Sequence, residues 1–221
     1  MQLTLYYHPL ASYCHKVLIA LYEHGAQFER RIVDLGDERD RAELAAIWPF
    51  VRFPVIRDHE RKRDVAESAT IIEYLDHYQN GAGKLVPSGW EAALDARHWE
   101  RFFDHYVQTP VQAIVQDRLT GRNGDTSRER TMLATAYRLI DQRMAGRQWI
   151  AGEFSMAECS AAPALFYAAT LEAIPEGMSH LSAYFERLMA RPSVQRVLAE
   201  ARPYFPMYPF AEAIPARFLE G

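Results

Sequence analysis

The stretch from Phe53 to Ser68, FPVIRDHERKRDVAES, constrains this chain more than any other. Pro54 stands just ahead of the apolar pair Val55-Ile56, so it has no N–H to give a sheet, and it restricts the residue before it. A cis bond here, mainly a proline property, would turn the main-chain N–H and C=O of Phe53 outward like a short strand edge. An extended peptide can pair with such an edge. The polar tip Asp58-His59-Glu60-Arg61 and the return along Arg63 to Ala66 are hairpin chemistry with a loop longer than the tightest turns. Glu67-Ser68 then directly precedes Ile71, Ile72, Leu75 and Tyr78 at helical spacing. Ser68 is expected as the N-cap, with its hydroxyl and the first free N–H groups facing a carboxylate, and Glu67 beside it can accept from an ammonium. A backbone clamp for an amide, next to sites for a carboxylate and an ammonium, suits the amino-acid end of a short anionic peptide.

The segments before and after this stretch fall into two kinds. Leu3, Leu5 and Tyr7 alternate as a strand; Cys14, Val17, Leu18 and Leu21 follow at helical spacing, with Ser12 at the start and Gly25 at the stop. Phe28 to Leu35 reads as a second strand with Ile32 and Val33 inward, and Arg41 to Ile47 as a short helix ended by Trp48-Pro49. The order is β-α-β-α-β-β-α in about eighty residues, with a parallel pair joined to an antiparallel hairpin, as in a thioredoxin-like domain. Asn80-Gly81-Ala82-Gly83 and Pro87-Ser88-Gly89 are breaker clusters, which gives a first domain over 1–80, a linker over 81–89 and a second domain over 90–221. Beyond the linker only helical periodicity is left. A stripe from Trp99 to Val115 crosses Pro110, which should kink the helix; Thr126-x-x-Glu129 and Ser155-x-x-Glu158 read as capping boxes; further helices carry Leu181 to Met189 and Val194 to Ala201.

Pro54 before a hairpin, then Glu67-Ser68 opening a helix, resembles the glutathione-binding half of the glutathione transferase family, and the all-helical second half resembles that family's second domain. The likeness covers nearly the whole chain. It implies an α/β thioredoxin-like N-terminal domain followed by an all-α helical-bundle C-terminal domain that contributes the second-substrate site. It also implies that Phe53, before cis-Pro54, pairs with the cysteinyl part of glutathione, and that Glu67 and Ser68 hold its γ-glutamyl end. Arg52 occupies the place where some serine-type classes have a lysine reaching the cysteinyl–glycine end.

The implied reaction is attack by the glutathione sulfur on an electrophile, and that needs a thiolate. A free thiol has a pKa near ~8.5, so lowering it by about two units takes roughly 2.7 kcal/mol of preferential thiolate stabilisation. A hydroxyl hydrogen bond and a helix N-terminus can together supply energy of that order. Ser12, in Ala11-Ser12-Tyr13-Cys14, falls where the serine-type classes carry their activating serine; Tyr7, in Tyr7-His8-Pro9, falls where the tyrosine-type classes carry their tyrosine. Ser12 is preferred, although many serine-type classes also have serine at the position of Ala11, and Val51 departs from the glycine common in the family's Pro-x-Gly-x-x-Pro run. The plain alternatives are that Ser12 only caps its helix and Tyr7 only packs beneath the sheet. Phe102, Phe103, Tyr106 and the tail Tyr204 to Phe210 are candidates for an aromatic wall, which suits an apolar electrophile. The same clamp would also serve isomerisation, ether cleavage, dehalogenation or peroxide reduction, or a binding or interaction protein with little turnover.

Composition narrows the remaining options. The 221 residues are 49% hydrophobic and 24% charged with net charge −4, ordinary for a soluble two-domain protein and without an electrostatic reason to bind nucleic acid or an anionic membrane. No segment approaches the ~18 apolar residues of a membrane helix, and Met1-Gln2-Leu3-Thr4-Leu5 shows no basic n-region leading into an apolar h-region, so the expectation is a cytoplasmic detoxification enzyme, a homodimer as is typical of the family. The two cysteines lie far apart; Ser12 and His15 stand where a Cys-x-x-Cys pair would sit, and Cys14 continues a buried helix face. The eight histidines show no metal pattern, and no metal is expected.

Overall fold

The computed structural model describes residues 2–78 and 84–220. The chain divides into two compact units, Met1–Leu85 and Val86–Gly221. Part of the expected linker, residues 81–83, lies outside the described residues.

In the first unit β1 (Leu3–Tyr7), α1 (Ser12–Glu23), β2 (Glu29–Ile32), α2 (Glu38–Ile47), β3 (Val55–Asp58), β4 (Arg63–Ala66) and α3 (Ser68–Tyr78) follow the order read from the sequence. The sheet runs β2-β1-β3-β4, with β1 parallel to β2 and antiparallel to β3, and β4 closing the hairpin. Strand side chains alternate between faces. Tyr6, Val33, Leu44 and Val55 therefore form the core on the α2 side, while Leu5 and its partner Ile56 point the other way, where α1 and α3 pack. Cys14, Val17, Leu18 and Leu21 are all at most 2% exposed, which accounts for α1 as the helix buried against this sheet. Gly25 ends it at φ 61°, with its N–H on the Tyr22 carbonyl and the Ala26 N–H on the Leu21 carbonyl, the double bond pattern of a Schellman stop. Val33, just beyond β2, is buried, whereas Ile32 is 37% exposed, correcting the expectation that both face inward, since adjacent strand residues point to opposite sides.

The second unit holds α4 (Trp90–Phe102), α5 (Thr109–Leu119), α6 (Ser127–Met144), α7 (Met156–Leu171), α8 (Ser179–Met189) and α9 (Pro192–Ala201), then short 3₁₀ turns. The kink expected at Pro110 takes the form of a π-helical segment, Phe103–Gln108, joining α4 to α5. There Thr109 donates its N–H to the carbonyl of Asp104, five residues back. This wider turn makes room for a proline ring that would strike the carbonyl four residues before it in a regular helix. The Ser155–Glu158 capping box is present: Ser155 Oγ accepts from the Ala157 N–H and Glu158 Oε2 accepts from the Ser155 N–H. The box expected at Thr126–Glu129 is not formed. Thr126 makes no cap bond, and its hydroxyl instead accepts from Arg130 Nε.

Candidate functional site

The register of the sheet decides which residues gather at one end. Val55 pairs with Tyr6 on one side and with Ala66 on the other. With strands about 4.8 Å apart, Tyr7, the Phe53-Pro54 step and Glu67 stand side by side across three strands. This is the carboxyl end of the parallel pair, where open α/β sheets place their ligands.

The Phe53–Pro54 peptide bond is cis. Phe53 lies outside β3, and among the described residues its main-chain N–H and C=O enter no backbone hydrogen bond. Its half-buried ring packs on the Tyr6, Val33, Leu44, Val55 cluster and stacks on His8 with centroids 6.1 Å apart. Arg52 before it is exposed and makes no hydrogen bond among the described residues. Val51 takes φ 51°, so the turn keeps a glycine-like backbone although a β-branched residue occupies it.

At the other edge of this end, Glu67 takes φ 68° and its carbonyl accepts the first helical bond of α3, from the Ile71 N–H at 2.8 Å. Glu67, not Ser68, is therefore the N-cap, a correction to the sequence expectation. Ser68 is the first helical residue, 7% exposed, so its N–H is one of the helix's orphan donors. The Glu67 carboxylate is exposed and has no partner among the described residues.

Ser12 likewise opens α1 from inside the helix. Ala11 is the N-cap and its carbonyl accepts from the Cys14 and His15 N–H groups. Ser12 is 6% exposed, and its hydroxyl makes no hydrogen bond among the described residues, so the plain reading of it as a cap does not hold. Tyr7 ends β1, is 4% exposed and shares the sheet face of Leu3 and Leu5. Cys14 is fully buried, and burial pushes its thiol well above the ordinary range, the state of an inert packing residue.

His8 was not singled out by sequence, although it sits between Tyr7 and Pro9 at the strand end. Burial lowers its pKa, opposed by the charge of Asp34, so the imidazole is neutral at neutral pH. Its Nδ1 accepts the Leu10 N–H at 3.2 Å, which leaves the ring proton on Nε2. In the helical unit much of the expected aromatic wall is core: Phe103 and Phe205 are at most 1% exposed and Tyr208 7%, while Tyr204 and Phe210 are half-buried and Tyr106 and Met207 are exposed, Tyr106 5.3 Å from the Phe102 ring.

A mixed four-stranded sheet with a cis-proline at its ligand end, joined to a second unit built of helices, defines a thioredoxin-like domain followed by an all-helical one. Two models of one family match the sequence: "Glutathione S-transferase, N-terminal domain" over residues 5–83 and "Glutathione S-transferase, C-terminal domain" over residues 123–187. The chain belongs to the glutathione transferase family. It is 25% identical over 215 residues to a glutathione S-transferase of Silene vulgaris, covering 90% of this chain and 98% of that one. It is also 26% identical over 211 residues to a stringent starvation protein A homolog of Haemophilus influenzae, covering 91% and 92%. A glutathione S-transferase structure from Methylobacillus flagellatus with glutathione bound has the same fold, with TM-score 0.76, 22% identity, and 88% and 98% of the two chains covered. Among the described residues no helix is long and apolar enough to cross a membrane, and no group of three His, Cys, Asp or Glu is placed to hold a metal.

Proposed function

We propose that this chain is a cytoplasmic glutathione transferase that ionises the glutathione thiol and directs it at an apolar electrophile. The observation that carries the reading is the Glu67-Ser68 step: an unpaired carboxylate on a left-handed backbone, beside the orphan N–H groups of α3, at the sheet end that also holds Phe53. Glu67 accepts from the γ-glutamyl ammonium, and Ser68 with the α3 N-terminus receives its carboxylate. Phe53 pairs its main chain with the cysteinyl amide, and Arg52 reaches the glycyl end. The sulfur then lies toward the start of α1, where Ser12 donates its hydroxyl hydrogen to the thiolate and the helix N-terminus adds to the same effect. The thiol proton goes to solvent. Sulfur forms the bond to the electrophilic carbon, and the leaving group departs with its bonding pair. Ser12 is assigned ahead of Tyr7 because its hydroxyl is without a protein partner at a helix N-terminus.

The test is a thiolate absorbance titration of bound glutathione together with turnover. The bound thiol should titrate at least about one unit below the free thiol, and Ser12→Ala should return it most of the way, at a cost of about tenfold or more in kcat/KM. Unchanged turnover in both Ser12→Ala and Tyr7→Phe refutes both assignments. A second reading, a glutathione-binding interaction protein with little turnover, is favoured by Ala11 and Val51, where the chain departs from the family's common residues. Retention on immobilised glutathione without conjugation of any electrophile tried selects it.

A further inference from the structure

We infer that His8 is a positioning residue of the glutathione site that acts through two separable contacts: its ring sets Phe53, and its Nδ1 sets the turn that delivers Ser12. The inference rests on the reading proposed above, in which the Phe53 main chain clamps the cysteinyl amide and Ser12 stabilises the thiolate.

Residues 8–11 form a tight turn between β1 and α1. The Ala11 N–H donates to the His8 carbonyl at 3.0 Å, with Pro9 at the second position, where its fixed φ favours such a turn. Asp, Asn or Ser usually holds the first position, because a short side chain there can accept the N–H two residues on. His8 does the same with its imidazole: Nδ1 accepts the Leu10 N–H at 3.2 Å. A protonated ring has no lone pair for that bond, and burial, which outweighs the charge of Asp34, keeps this one neutral. From α1, His15 Nε2 donates to the Pro9 carbonyl at 2.5 Å. Ala11 closes the turn and is also the N-cap of α1, so Ser12 stands one residue beyond it. A turn that opens at Leu10 therefore moves the Ser12 hydroxyl and the helix N-terminus together.

The second contact is with the clamp. The His8 and Phe53 rings stack with centroids 6.1 Å apart and planes 21° from parallel. Phe53 stands outside β3, and among the described residues its main chain enters no backbone hydrogen bond. Its ring, packed on the Tyr6, Val33, Leu44, Val55 cluster and stacked on His8, is thus what orients the peptide groups on either side of it.

Three variants separate the contacts. His8→Asn keeps an acceptor for the Leu10 N–H and removes the ring, His8→Phe keeps a ring for Phe53 and removes the acceptor, and His8→Ala removes both. Binding of S-hexylglutathione, which has no thiol to titrate, reads the clamp; thiolate absorbance of bound glutathione reads Ser12. His8→Asn should weaken S-hexylglutathione about two- to tenfold and leave the bound thiol as in the parent chain. His8→Phe should keep that affinity within about twofold and raise the titration of the bound thiol by about half a unit or more. His8→Ala should do both, and if it does not fold, the other two variants decide. A residue that only helps the chain fold would move the two readouts together, so Asn and Phe variants that lose both alike, or lose neither, overturn the inference while leaving the glutathione reading intact. A parent chain that does not bind S-hexylglutathione refutes that reading, and this inference with it.

Discussion

At Glu67 a charged side chain sits on a left-handed backbone, where an L-residue gives up about 1–2 kcal/mol that glycine does not. Glycine returns about 0.5–1 kcal/mol of that through its freer unfolded chain. Glu67→Gly should therefore raise stability by roughly 0.5–1 kcal/mol in denaturant melts while weakening glutathione binding. A variant that loses stability, or keeps full affinity for glutathione, contradicts the role given to Glu67. The same conflict at Val51 was legible in part: the residue type departs from glycine, and the backbone at φ 51° shows that the turn was kept and the strain accepted. Sequence could not report that Glu67 itself would be the cap, because glutamate has no preference for a left-handed angle and serine next to it is the commoner choice.

The β3–β4 hairpin turns around a buried carboxylate. Asp58 is fully buried; its Oδ1 accepts from the Glu60 and Arg61 N–H groups, and its Oδ2 from Arg61 Nη1 and the Tyr74 hydroxyl. Burial opposes its charge, but the bonds from Arg61 and Tyr74 outweigh it and hold the carboxyl below its ordinary value. A depressed folded pKa means that the stabilisation is whole above the unfolded value near ~3.9 and is lost as pH falls through the folded one. Asp58→Asn should thus cost about 1–3 kcal/mol at neutral pH and flatten the acid limb of the stability curve; an unchanged acid limb would count against it. At the start of α7, Ser155→Ala should cost about 0.5–2 kcal/mol in thermal or denaturant unfolding, with a change under a few tenths refuting the cap's importance. The hairpin and the capping box were readable, since both are local patterns; the burial of Asp58, read from the sequence only as part of a polar tip, was not. Thr126–Glu129 has the same spacing and no box: Thr126 stands at φ −104°, ψ 17°, outside the extended backbone of a cap, and its hydroxyl accepts from Arg130, neither of which a four-residue pattern shows.

Each unit leaves large apolar side chains in water: Phe50 is 73% exposed in the first, and Trp90 and Leu94, one turn apart on α4, are 70% and 48% exposed in the second. Scattered exposed apolar residues are ordinary, but side chains of this size are what association surfaces use. For the homodimer expected from the family resemblance, Phe50→Ala and Trp90→Ala should each move sedimentation of the chain at micromolar concentration toward the monomer; a parent chain that already sediments as a monomer excludes it. Two units and their fold classes were evident from where strand alternation stops. The π-helical segment was not, since a proline in a helical stripe predicts a bend and says nothing of how the backbone absorbs it. That segment carries a consequence for the gene as well as the fold. Phe103–Gln108 holds a residue more than a regular turn would, so losing one residue there should restore ordinary winding and leave the faces of α5 where they are. Val111 and Ile114, now 2% and 3% exposed, would stay in the interior. A one-residue deletion at the exposed Tyr106 is therefore expected to keep soluble expression and to cost about 3 kcal/mol at Pro110, whose ring then meets a regular turn; an insoluble chain counts against it.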